Sequence, residues 1–268
     1  VLSLRAMTRI GWCAAAVVAL ALVTGCSGPD GGTPPAPAPG RFVVTYEPVT
    51  NDANRAEEKL LRDNRVLEDF AESMTEYVRI PRDVRVVAKE CGEANAFYLP
   101  DEHAIHYCYE LSAAERLLFA KDGTTGDALD GEVYNSAVGT LYHEAGHALI
   151  GELDLKITGR EEDVADQLAA YVLTSADEFK DILLTVAKSY QLSAEEVTDL
   201  DELPFYDTHS LDPQRSVNFL CYLYGSDEKR FEQLVTDGSL PAARAESCGE
   251  EYTQLVGGWE SLLAPHVR

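Results

Sequence analysis

The 268-residue sequence predicts an α+β fold, with a small antiparallel sheet followed by a mainly helical body. Three observations carry that expectation. Short runs rich in Val, Phe, Tyr and Ile, separated by turn signals, fall between residues 41 and 107. From Glu132 onward the chain reads as mainly helical, with apolar residues at helical spacing. On the first long helix of that body, His143 and His147 stand four residues apart and therefore on one face.

The chain opens with a leader pattern. Arg5 and Arg9 precede an apolar run from Ala14 to Val23 that is too short to span a bilayer as a helix. The run ends in Val23-Thr24-Gly25-Cys26, which resembles a bacterial lipobox, in which the cysteine is lipidated and becomes the new N-terminus. Residues 27–40 hold nothing able to bury a core, and their Pro-rich half is extended at about 3 Å per residue. The expected organisation is a lipoprotein signal over 1–25, a tether over 26–40 and one folded domain over 41–268. Lipid at Cys26 would anchor that domain to the cell membrane on its extracytoplasmic face.

Within the domain, Arg41–Val49 alternates as a strand, and Asn51–Tyr77 shows helical apolar spacing through Leu60, Leu61, Val66, Leu67, Phe70 and Met74. Val84–Ala88, Ala96–Leu99 and Ala104–Tyr107 read as short strands, the last two joined by the turn signal Pro100-Asp101-Glu102. Ser112 with Glu115 fits a capping box that would start a helix, and Lys121–Asp130 reads as a loop. A helix carries Val138 to Ile150, with Gly151 as its natural stop. Thr158 with Glu161 fits a second capping box, and Asp163 a first-turn acid facing the helix dipole. The acidic stretch Glu195–Asp212 lacks the alternation of an EF-hand loop and reads as solvated, and Asp212-Pro213 would start a further helix.

Charge and cysteines narrow the function. With 22 basic and 46 acidic residues the net charge is −24, and losing Arg5 and Arg9 with the leader makes it −26. Such a surface repels phosphate backbones, which argues against a nucleic-acid partner. Cys13 leaves with the leader and Cys26 takes lipid, so Cys91, Cys108, Cys221 and Cys248 remain. Four cysteines allow three pairings. The local one, Cys91–Cys108 with Cys221–Cys248, closes modest loops, and an extracytoplasmic location favours disulfides.

His143-Glu144-Ala145-Gly146-His147 places two imidazoles one helical turn apart, able to reach a single metal ion. Glu144 lies beside them, able to take a proton from the attacking water. A catalytic zinc takes three protein ligands. His147 lies four residues before the stop at Gly151, and Glu162 four residues after Thr158. If the two helices are antiparallel, His147 is level with Glu162 and His143 with Asp166. That geometry makes Glu162 the third ligand and Asp166 the carboxylate that fixes the tautomer of His143.

These residues resemble the gluzincin type of zinc metallopeptidase, in which a downstream Glu is the third ligand and an Asp four residues later supports the first His. More closely, the chain resembles a bacterial family of metallopeptidases of unknown function. The matching stretches are Cys91–Tyr98, Cys108–Leu111, Tyr142–Ile150, Gly159–Tyr171, His209–Gly225 and Leu240–Tyr252. The resemblance implies a zincin-like fold, one zinc ion, a peptide or protein substrate and the local disulfide pairing. It also implies metal-assisted hydrolysis, with Glu144 passing its proton to the leaving amine, and a donor for the oxyanion. His209 and Tyr206, just before the Asp212 helix, are the candidates for that donor, and Ala104–Tyr107 would offer an edge for strand addition. Two alternatives stand beside the peptidase: a zinc-stabilised binding lipoprotein without activity, and a zinc hydrolase of cell-wall peptides.

Overall fold

The computed structural model describes residues 38–268 apart from Thr198, Leu200, Glu202 and Pro204. The leader, Cys26 and most of the tether lie outside the described residues. Four strands, β1 (Phe42–Tyr46), β2 (Val84–Lys89), β3 (Ala96–Leu99) and β4 (Ala104–Cys108), form one sheet in the order β1-β2-β4-β3. Helices α1 (Arg55–Asp63) and α2 (Val66–Tyr77) lie between β1 and β2. After β4 come α3 (Tyr109–Lys121), α4 (Gly126–Glu152), α5 (Glu161–Leu173), α6 (Lys180–Glu196) and α7 (Asp212–Ser226). The chain closes with the short α8 (Glu232–Thr236) and α9 (Ala242–Ala245) and then α10 (Cys248–Leu263).

The α+β class holds, but the sheet is mixed rather than antiparallel. β1 with β2 and β2 with β4 pair in parallel, and only β3 runs antiparallel, against β4. The cause is connectivity. The α1–α2 excursion carries the chain back to the end of the sheet where β1 began, as a parallel neighbour requires. The burial of β4 agrees: all five of its residues are buried, as in an interior strand covered on both faces. β4 therefore offers no free edge, and the edge nearest α4 belongs to β3.

Several local expectations are also revised. Asn51–Tyr77 is not one helix. It begins as a 3-10 turn and breaks at Arg65, whose φ of 54° stops α1, while the Asn64 side chain bonds the Leu60 carbonyl. α3 starts at Tyr109, three residues before Ser112. Ser112 is no cap, because its hydroxyl meets the Tyr107 hydroxyl at 2.8 Å inside the core. The loop before α4 shrinks to residues 122–125. The α4 stop moves past Gly151, with Asp154 taking the left-handed conformation (φ 51°).

α4 is the axis of the molecule. From Val133 to Ile150 it is buried on nearly every side, and it packs against α2, α3, α5, α6 and β3. A helix that is apolar all round needs neighbours all round, and the body supplies them. The pairs Cys91–Cys108 and Cys221–Cys248 are disulfides, the second tying α7 to α10. No described helix is long and apolar enough to cross a membrane.

Candidate metal centre

Two helices meet where the histidines lie. A Cβ on Gly146 would stand 2.6 Å from the Ala165 Cα, so α4 and α5 approach closely only because this position has no side chain. The close approach brings the Glu162 and Asp166 carboxylates of α5 onto the imidazoles of α4. Gly146→Ala is expected to overpack this contact by about 1–3 kcal/mol, lowering Tm by several degrees and weakening metal retention together. Thermal denaturation and metal analysis of the one variant check both.

Three atoms converge. His147 Nε2 lies 3.3 Å from His143 Nε2 and 3.1 Å from Glu162 Oε2, and His143 Nε2 lies 3.3 Å from that same oxygen. Ligands about 2.0–2.1 Å from a tetrahedral zinc stand about 3.3 Å from one another, so the triangle has the size such an ion requires. The tautomers agree. His143 Nδ1 is 2.8 Å from Asp166 Oδ1, and His147 Nδ1 is 2.8 Å from Glu161 Oε1. With each Nδ1 donating to a carboxylate, the neutral rings present Nε2 lone pairs to a shared point and to an anionic oxygen. Three acceptors facing each other call for a cation, and the donor set of two imidazoles and a carboxylate suits zinc.

The electrostatics show how strongly the cluster attracts positive charge, a proton on the rings being the alternative to a metal ion. Burial opposes charging of His147, but hydrogen bonds to Glu162 and Glu161 outweigh it and lift its pKa to about 9. Burial also works against ionised Glu162, yet hydrogen bonds from His143, His147 and His209 hold it far below the carboxylate range. Asp166 is likewise resisted by burial and held at about 2, chiefly by the Arg215 charge and the His143 hydrogen bond. The site is built to keep its acids ionised. Glu144 differs: burial pushes its carboxyl up, partly offset by His143 and His147. Its Oε2 is buried without a hydrogen-bond partner, while the Tyr98 backbone N–H donates to the carboxylate.

Residues that the sequence placed in other roles, or did not single out, complete the centre. Glu161 is no cap partner of Thr158, because α5 begins at Glu161 itself behind Arg160, which leaves the carboxylate free to take His147 Nδ1. Arg215 on α7 grips Asp166 with Nε at 2.8 Å and Nη2 at 2.6 Å, bracing the carboxylate that orients His143. Asp163 accepts from the Ser210 hydroxyl at 2.7 Å, tying the loop before α7 to α5. Only the i,i+4 spacings were visible locally. Arg215 lies 49 residues from its partner, and no local pattern marks it. Asp166→Ala should strand the Arg215 cation and free the His143 ring, weakening zinc about 10–100-fold, which a chelator-competition titration reads.

His209 stands at the mouth. Its Nε2 is 2.9 Å from Glu162 Oε2, its Nδ1 is 2.9 Å from Asp207 Oδ1, and its ring stacks over His143 at 6.1 Å. His143, Glu162 and His209 can each put a ligand atom within 4.8 Å of the others. Tyr206 is 93% exposed and lies outside the cluster, which removes it as a donor here. His103 and His106 belong to the sheet end, His103 bonding Glu152 through Nδ1 at 2.6 Å.

A mixed α+β body with a partly buried two-histidine, one-glutamate cluster and an adjacent carboxylate that has one unpartnered oxygen defines a candidate metal-dependent hydrolase. Residues 46–263 match the model of a family described as "Putative metallopeptidase" (DUF4344), and the chain belongs to that family. Comparison with curated proteins found no match, and comparison with solved structures found none.

Proposed function

We propose that the protein is a gluzincin-like zinc peptidase, with His143, His147 and Glu162 holding one zinc ion and Glu144 as general base. The observation that carries the reading is the 3.1–3.3 Å triangle of acceptor atoms beside the buried, unpartnered Glu144 Oε2. Zinc at this point supplies Lewis-acid polarisation of a carbonyl and a lowered pKa for water. The chain's own residues do the rest. Glu144, with its pKa raised by burial, takes the proton of the attacking water on Oε2 and returns it to the leaving amine. His209, held at Nδ1 by Asp207, points Nε2 into the site and donates to the oxyanion as charge develops. Asp166 and Glu161 keep both imidazoles in the binding tautomer, and Arg215 keeps Asp166 in place.

The substrate backbone lies along β3. Its N–H groups at Ala96 and Tyr98 turn away from β4, toward Asn95 Oδ1 and Glu144 respectively. A peptide adding to that edge would have to displace these two contacts and would then lie beside the base. In the expected setting the enzyme is tethered through lipid at Cys26 outside the cytoplasm, where the two disulfides are stable. Metal analysis with peptide assays tests the reading. The expected result is one zinc per chain together with hydrolysis of peptides. Stoichiometric zinc with no turnover on peptides or wall fragments would make it a binding lipoprotein instead, and cleavage confined to wall fragments would make it a wall hydrolase.

A further inference from the structure

Beside Glu144 and His143 lies a cavity of about 330 Å³, lined mainly by α3, α4, α6, α7 and the loop before α7, with Asp166 of α5 and the start of β3 at its edge. Along α4 it extends from Glu144 back to Ser136, eight residues or about 12 Å. At the Ser136 end stands Glu115 of α3. Its Oε2 has no water contact and no hydrogen-bond partner, and the Ser136 hydroxyl serves the carboxyl group. Asp212 of α7 lines the same wall and is near enough to repel it.

No cation answers Glu115. Among the described residues lining the cavity, Arg215 is the sole Lys or Arg. Arg215 is committed, bonded twice to Asp166 and laid over the Tyr190 ring at 4.1 Å. The histidines of the lining, His143 and His209, face the opposite, metal end. Burial pushes the Glu115 carboxyl up to about 7, against the Ser136 hydrogen bond. A buried carboxylate without a counter-charge is costly, and an incoming cation would remove that cost. Leu111, Val186 and the Tyr190 ring, which stacks on Phe219 at 5.9 Å, give the lining its apolar surface, with Thr140 and Ser189 as neutral polar groups among them. An aliphatic stem ending in a charge fits that sequence of surfaces, and the span from Glu144 to Ser136 suits a long side chain plus one hydrogen bond.

We propose that this cavity is the specificity pocket of the site and selects a lysine or arginine side chain next to the cleaved bond, with Glu115 receiving the cation. For cleavage this rests on the peptidase reading; for recognition it rests on the cavity alone. The strong net negative charge of the chain would draw such substrates in.

Two measurements separate these claims. In the first, the purified protein carrying Glu144→Gln is titrated calorimetrically with acetyl-Ala-Ala-Lys-Ala-Ala-amide and with the same peptide containing norleucine. The lysine peptide should bind at least tenfold more tightly, and adding Glu115→Gln should reduce the difference below threefold. In the second, kcat/KM of the zinc-loaded protein is compared for lysine, arginine and norleucine peptides. Glu115→Gln should cut the ratio of kcat/KM for the basic peptides to that for the norleucine peptide tenfold. If Glu115→Gln fails to fold, Glu115→Asp keeps the charge and withdraws it by one methylene, so preference should move from lysine toward the longer arginine. Equal binding of the two peptides, or a preference untouched by both Glu115 variants, overturns the proposal. Lysine-dependent binding without any cleavage leaves the pocket standing and removes the peptidase reading. Cleavage indifferent to basic residues does the reverse.

Discussion

Glu144→Gln is expected to lower kcat/KM by about 10²–10⁴-fold while leaving zinc bound, because it would remove proton transfer and little else. The substitution is isosteric, and the three converging atoms belong to other residues. Glu144 is buried, its Oε2 has no partner, and burial already disfavours its charged form. Replacing the carboxylate with a neutral amide therefore leaves Tm unchanged or raises it. Most active-site substitutions lose stability and activity together, whereas this one should separate them. A variant that keeps more than a tenth of wild-type turnover would remove Glu144 as the base. Loss of zinc along with turnover would show instead that Glu144 helps build the metal centre.

Glu162→Ala has the second large effect and a different signature. One Glu162 oxygen faces His143, His147 and His209 at 3.3, 3.1 and 2.9 Å. Removing the carboxylate would take away one of the three proposed ligands and, among the described residues, the anion that all three imidazoles share. Zinc affinity should fall by more than the roughly 10–100-fold expected for an outer support such as Asp166. Activity should fall to background at ordinary zinc concentrations and return in part only when zinc is raised. Titration of the metal-free variant with zinc, read by metal-dependent thermal stabilisation, checks this. Unchanged zinc affinity would move the third ligand elsewhere, and the 2.9 Å approach of His209 to Glu162 names where to look.

The contrast between what local patterns reveal and what they hide follows from the physics of each element. The contacts of His143 with Asp166 and of His147 with Glu162 come from two i,i+4 spacings on facing antiparallel helices, a relation that can be read without coordinates. The helical body and all four strands were legible for the same reason, since apolar period reports which side is buried. Strand direction was not. It depends on where α1 and α2 return the chain, and the alternation within β1 says nothing about that. Ser112–Glu115 and Thr158–Glu161 each had the spacing of a capping box. In both, the helix begins elsewhere, and the acid does something else: Glu161 holds His147 and Glu115 lines the cavity. Capping spacing is common in an acid-rich chain, so tertiary neighbours decide its meaning. Arg215 shows the limit, because its partner is remote in sequence and adjacent only in the fold.

The central claim is that this centre hydrolyses peptides with zinc. The most direct test is digestion of a defined peptide library by the wild-type protein, followed by mass spectrometry. It is run as purified, after exhaustive chelation, and after zinc is restored to one equivalent. Discrete cleavage is expected that chelation abolishes and zinc restores. Cleavage indifferent to the chelator, or a protein retaining one zinc per chain that leaves every peptide intact, would contradict it.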